Sequence, residues 1–77
     1  MDATTVVSST LATIAYDHVD RVLQLEFRSH AIYWYFDVPA AVHTALLYAP
    51  SRGRYFNQSI RGRFRYAVAA GARAGKA

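Results

Sequence analysis

The stretch Val22–Val38, VLQLEFRSHAIYWYFDV, constrains this chain more than any other. Leu23, Leu25 and Phe27 alternate with Gln24, Glu26 and Arg28, the period of two that gives a strand one apolar and one polar face. Ile32 to Phe36 is apolar or aromatic throughout, so it reads as a second strand whose inward face periodicity alone does not choose. Arg28-Ser29-His30-Ala31 must turn the chain back between them without a glycine to supply a positive φ. A lone hairpin is marginal in water, so this one needs further strands or a covering helix.

The flanking residues supply both. Ala12, Ile14 and Tyr16 alternate with Thr13 and Ala15, which predicts a strand over residues 11–16. Asp17-His18-Val19-Asp20 then reads as a turn in which an Asp side chain accepts from backbone two residues on. Pro39 suits a first helical turn, and Val42, Leu46 and Ala49 recur at helical spacing, predicting a helix over 39–48 with His43 on its outer side. Pro50 ends that helix and Ser51 can cap another, in which Tyr55 or Phe56 and then Ile60 face inward. Gly53 lowers the propensity of that second helix. The expected fold is therefore α+β: a three-stranded antiparallel β-meander covered by two short helices, with residues 63–68 available as a fourth short strand. Residues 1–7 read as a flexible N-terminus, 8–68 as a single domain, and 69–77 as a disordered basic tail.

Length allows one core only, because the chain has 77 residues, and domains of this size bury about 60% of the surface that their unfolded chains expose. The 53% apolar content is enough to fill that core, and the absence of cysteine removes disulfide and thiolate chemistry. No basic region followed by an apolar run marks a secretory signal, and no segment approaches the roughly 18 apolar residues of a membrane span. The expectation is a soluble, cytoplasmic protein that does not engage a membrane. Charge divides the chain sharply: the first 37 residues carry a formal −3 and the last 40 carry +7. Such an asymmetry points to a polyanionic partner or an anionic surface, against the plainer reading of a solvated basic face.

Within residues 51–66 lie Arg52, Arg54, Arg61, Arg63 and Arg65, four aromatics (Tyr55, Phe56, Phe64 and Tyr66) and no acid. Arginine forks match phosphate oxygens, and a helix start at Ser51 offers backbone N–H groups to an anion. Against this stands a structural reading, with Phe56, Ile60 and Phe64 in the core and the arginine stems covering its edge. Asn57 and Gln58 could read base edges, although such residues more often brace local backbone. The triplet Tyr33-Trp34-Tyr35 is the other candidate, since exposed rings on a sheet stack bases. Its own plainer reading puts Tyr33 and Tyr35 in the core. Enzyme chemistry finds no frame here. His18, His43 and His30 are scattered without ligand-like spacing, so no metal is expected. Asp17 with Asp20, or Ser9 with a distant His, form no recognisable catalytic pattern, and Arg52-Gly53-Arg54 lacks phosphate-loop spacing. No cofactor and no catalytic residue are expected.

Taken in order, Ser8-Ser9, Ile14-Ala15-Tyr16-Asp17, Leu23-x-Leu25-x-Phe27, Tyr33-x-Tyr35, Val38-Pro39, Ser51-x-Gly53-x-Tyr55-Phe56-Asn57 and Ile60-Arg61 resemble the KTSC domain family. Members of that family occur at the C-terminus of some lysyl-tRNA synthetases and as free-standing bacterial proteins. The resemblance covers roughly residues 8–66, and the ordered set is far more specific than the Tyr-x-Tyr motif alone. It departs at Ser29-His30, where the family usually has a Gly, and at Trp34, where the middle residue is often polar. The resemblance implies that Tyr33 and Tyr35 face the core, with Trp34 outside beside Gln24 and Glu26. It also implies a domain of unknown activity for which RNA binding is proposed; the expected partner is RNA, with tRNA a candidate, or else a protein.

Two functional expectations follow. The leading one is a non-catalytic RNA-binding module in which Arg52, Arg54, Arg61, Arg63 and Arg65 hold phosphates while Tyr55 or Trp34 stacks a base. The alternative is a protein-interaction or adaptor domain that uses an exposed apolar patch around Trp34.

Overall fold

The computed structural model describes residues 2–70. The chain forms β1 (Asp2–Thr5), β2 (Leu11–Asp17), β3 (Val22–Phe27) and β4 (Ile32–Tyr35), then α1 (Ala40–Tyr48) and α2 (Arg52–Ser59), and closes with β5 (Tyr66–Ala70). All five strands join one antiparallel sheet in chain order, with the two helices inserted between β4 and β5. The α+β expectation holds, but three or four strands understated the sheet.

Both additional pairings lie at the sheet's edges. Residues 2–5, expected to be flexible, pair with β2 from Asp2 opposite Tyr16 to Thr5 opposite Thr13. Their Thr-rich sequence carries no apolar alternation, because an edge strand can be held mainly by its backbone ladder. At the other edge β5 starts at Tyr66 rather than at residue 63 and runs on to Ala70, two residues into the expected tail. Residues 61–63 are spent on a turn in which the Arg63 N–H donates to the Ile60 carbonyl at 3.0 Å. The rest of the expected tail, 71–77, lies outside the described residues.

In β2 the simple alternation breaks. A bulge between Leu11 and Thr13 puts Leu11 on the same face as Ile14 and Tyr16, all three buried, while Ala12 is only partly covered. Leu23 and Leu25 of β3 are fully buried opposite Tyr35 and Tyr33 of β4. Leu46 of α1, Phe56 of α2, and Ile60 and Val38 close this core from the helix side. Tyr16 is anchored within it, its hydroxyl donating to the Val38 carbonyl.

His43, expected on the outer side of α1, is instead 7% exposed. Its ring stacks on Tyr16 with centroids 4.6 Å apart, and the His18 ring stands perpendicular to the same tyrosine with centroids 4.8 Å apart. A flat aromatic contact outweighs the imidazole's preference for water. The buried stripe of α1 is thus His43 and Leu46, with Val42 and Leu47 at its margins.

Turn chemistry follows the sequence closely. Asp17 Oδ1 accepts from the Val19 and Asp20 N–H groups at 2.9 and 3.0 Å, the expected Asp turn. The glycine-free β3–β4 connection is made by His30 at φ 74°, a left-handed backbone that His tolerates better than most side chains. Pro39 is the N-cap of α1 rather than its first helical residue.

Candidate functional site

The helix α2 and the turn that follows it place most of the basic residues. Ser51 caps the helix, its Oγ accepting from the Arg54 N–H at 3.3 Å, as the sequence predicts. Phe56 and Ile60 point into the core, which leaves Arg54, Asn57, Gln58 and Arg61 on the exposed side. The Phe56 carbonyl accepts from both the Ile60 and Arg61 N–H groups, and Gly62 at φ 76° swings the chain out of the helix. Arg63 then lies exposed in the turn.

Gly53 has a packing role that propensity could not reveal. A Cβ added there would lie 2.6 Å from Thr10 Oγ1 and 3.2 Å from Thr10 Cβ, so α2 reaches the β1–β2 connection only because residue 53 lacks a side chain. The same connection is held by two arginines. Arg28 donates to the Ser8 carbonyl at 2.9 Å and the Val6 carbonyl at 3.3 Å, while Arg52 donates to the Val7 carbonyl at 3.2 Å and the Leu47 carbonyl at 2.7 Å.

The five arginines expected to hold phosphates therefore divide. Arg52 is a structural clamp, half-buried and committed to carbonyls. Arg65 is exposed but pairs with Asp37 at 2.9 Å and lies over the Phe36 ring, 5.4 Å from its centroid. Arg54, Arg61 and Arg63 are exposed and have no ion-pair or side-chain hydrogen-bond partner among the described residues.

Beside Arg61 the helix side of the sheet is not fully covered. A concavity of about 640 Å³ opens there, lined by Phe27 of β3, Tyr33 and Tyr35 of β4, Phe56 of α2, and Tyr66 of β5. Ser29, Ala31, Arg61 and Gly62 form the rest of its wall. Its rings touch in a chain: Phe27 and Phe56 at 5.3 Å, Phe56 and Tyr35 at 5.8 Å, Tyr35 and Tyr66 at 5.7 Å, and Tyr66 and Tyr33 at 5.6 Å. Tyr35 and Tyr66 are direct cross-strand partners, which puts both rings on one face. Burial, with the neighbouring Tyr33 and Tyr66 hydroxyls, pushes the Tyr35 phenol up to about 12, with Arg61 opposing weakly. At neutral pH it is a hydrogen-bond donor.

The two aromatics expected to stack a base do not belong to this concavity. Tyr55 is half-buried against the core. Trp34 lies on the opposite face, 41% exposed, with its indole N–H donating to Gln24 Oε1 at 2.7 Å, on the side the resemblance implied. Of the Tyr-x-Tyr pair, Tyr35 is buried and Tyr33 is packed against the core, yet both present surface to the concavity. Tyr66, 60% exposed, is the ring that sequence reasoning missed. Its signal was present in the extended stretch Arg65-Tyr66-Ala67-Val68, but its pairing with Tyr35 spans the two helices.

These features define a small α+β domain with a basic helix exit beside an aromatic hollow. Comparison with known proteins places it more narrowly. The KTSC domain model matches residues 7–64, and the chain belongs to the KTSC domain family. It is 47% identical over 51 residues to a lysine–tRNA ligase of Nostoc sp., covering 66% of this chain and 9% of the ligase. The chain thus corresponds to a small segment of the ligases it matches. An uncharacterized protein of Stutzerimonas stutzeri is 49% identical over 51 residues, covering 66% of this chain and 72% of that protein. The crystal structure of a KTSC domain protein from Yersinia pestis superposes with a TM-score of 0.86 at 33% identity, covering 90% of this chain and 97% of that one.

Proposed function

We propose that this domain is a non-catalytic RNA-binding module of the cytoplasm, engaging single-stranded or tRNA-like RNA through Arg54, Arg61 and Arg63. The observation that carries the reading is that these three arginines are exposed and without an acidic partner among the described residues, with Arg61 in the wall of an aromatic hollow and Arg63 on the surface next to it. Arginine at the start of a helix runs against the helix dipole, so Arg54 does little for the stability of α2 and is available to a ligand. The kinship with segments of lysine–tRNA ligases supports RNA over other polyanions. Asn57 and Gln58 share the exposed side of α2 and add hydrogen-bonding capacity without charge. Arg52 and Arg65 contribute to the field rather than to contacts, because one is clamped and the other paired.

The test is binding of a short single-stranded RNA measured by fluorescence anisotropy at low salt. Arg54→Glu with Arg61→Glu abolishes binding, whereas Trp34→Ala leaves most of it intact. The reverse sensitivity, with little response to salt, would transfer the function to the half-exposed Trp34 face and make the domain a protein-interaction module.

A further inference from the structure

The hollow beside Arg61 is a built feature, and its chemistry narrows what it takes. We propose that it holds one unstacked nucleobase of a single-stranded RNA, with Arg61 and Arg63 on the flanking phosphates. This assignment rests on the RNA-binding reading and specifies the form of RNA.

Five aromatic rings from four separate elements line one space: Phe56 and Tyr35 belong to the core, Phe27 and Tyr33 pack against it, and Tyr66 stands outside it. Tyr66 is exposed and Tyr33 half-buried, which leaves aromatic surface for a flat π-system, and the volume of about 640 Å³ lies within the size of ordinary small-ligand sites. The wall also has polar residues, Ser29, Tyr33, Tyr35 and Tyr66, and Tyr35 keeps its proton well beyond neutral pH. An aromatic cage could equally take a cation, but the wall contains no acid and does contain Arg61, which repels one. The neighbouring surface continues through Gly62, Arg63 and Arg65 to Phe36, so cationic groups border the hollow where it meets the β5 edge. A purely apolar guest would gain nothing from that border, whereas a nucleotide uses both parts. Bases inside a duplex are not available to such a site; bases in loops and single strands are.

Tyr66 is the best single probe. It is exposed, it does not contribute to the buried core, and it lies beyond the family-matched residues 7–64. The experiment compares an eight-nucleotide single-stranded RNA of mixed sequence with an abasic ribose-phosphate chain of the same length, at low salt. For the unsubstituted domain the RNA binds at least about tenfold more tightly than the abasic chain, the scale of one base–aromatic stack. Tyr66→Ala erases that ratio while leaving abasic binding unchanged, and Tyr66→Phe restores it, since the ring and not the hydroxyl stacks. Equal binding of the two chains by the unsubstituted domain would overturn the base pocket and leave the RNA reading intact. Retention of the full ratio in Tyr66→Ala would overturn it too, by placing the base elsewhere. Failure of both chains to bind would remove the RNA reading itself, and the pocket with it.

Discussion

Gly53 shows how a residue that weakens a helix in isolation can be what lets the helix dock. Replacing Gly by Ala in a helix interior ordinarily stabilises by about 1 kcal/mol. Here the new Cβ would approach Thr10 Oγ1 to 2.6 Å, so Gly53→Ala is expected to destabilise by about 1–3 kcal/mol, the scale of core overpacking. Thr10→Ala in the same chain should recover part of that loss, measured as a double-mutant cycle in urea; additive effects would refute the contact. His30 gives the opposite case, a side chain held at φ 74° in an exposed turn. His30→Gly relieves that backbone and is expected to raise stability by about 0.5–1 kcal/mol, read as an upward shift of Tm. Tyr35 adds a pH dependence. Its folded phenol ionises near pH 12, above the ordinary 10.0, so the folded state holds a proton that the unfolded chain releases. Stability from this group is complete below pH 10 and declines as the pH rises towards 12. Tyr35→Phe should flatten that part of the alkaline unfolding profile. Asp17 has the opposite sign: two backbone N–H groups hold its carboxyl below the usual 3.8, so its contribution is lost on acidification.

At the scale of elements, the arginines that look alike in sequence separate by what they touch. Arg52→Ala removes two charged hydrogen bonds to carbonyls that tie the β1–β2 connection to α1, so it should cost about 1.5–3 kcal/mol of stability. It should leave the salt dependence of RNA binding unchanged, whereas a phosphate-contacting arginine does the reverse. This division was not legible in the sequence, because Arg52 and Arg54 sit in the same Arg-Gly-Arg and differ only in which side of α2 they occupy. What could be read was local: the alternation in β3, the proline punctuation at 39 and 50, the Ser51 cap and the Asp17 turn. What could not was long-range. The edge strand β1 has no apolar alternation, the β2 bulge shifts Leu11 into the core, and His43 is buried by a tyrosine from another element. The aromatic hollow depends on β4 pairing with β5 across both helices, and no short-range pattern announces it.

For the molecule as a whole, the sheet separates two surfaces of different character. One carries Trp34 beside Gln24 and the acidic Glu26; the other carries the helices, the hollow and the exposed arginines. Glu26 lies on the Trp34 face while Arg61 lines the hollow on the helix side, a local asymmetry that favours a polyanion on the helix side. The proposed RNA site lies on that side. The most direct measurement is an amide NMR titration with short single-stranded RNA and with tRNA, at low and at physiological salt. Shifts should concentrate in residues 54–66 and at Tyr33 and Tyr35, with affinity falling as salt rises by a logarithmic slope of about 0.7 per phosphate contact, or roughly 2 for three arginines. Shifts confined to the Trp34 face, or none even at low salt, would contradict the account.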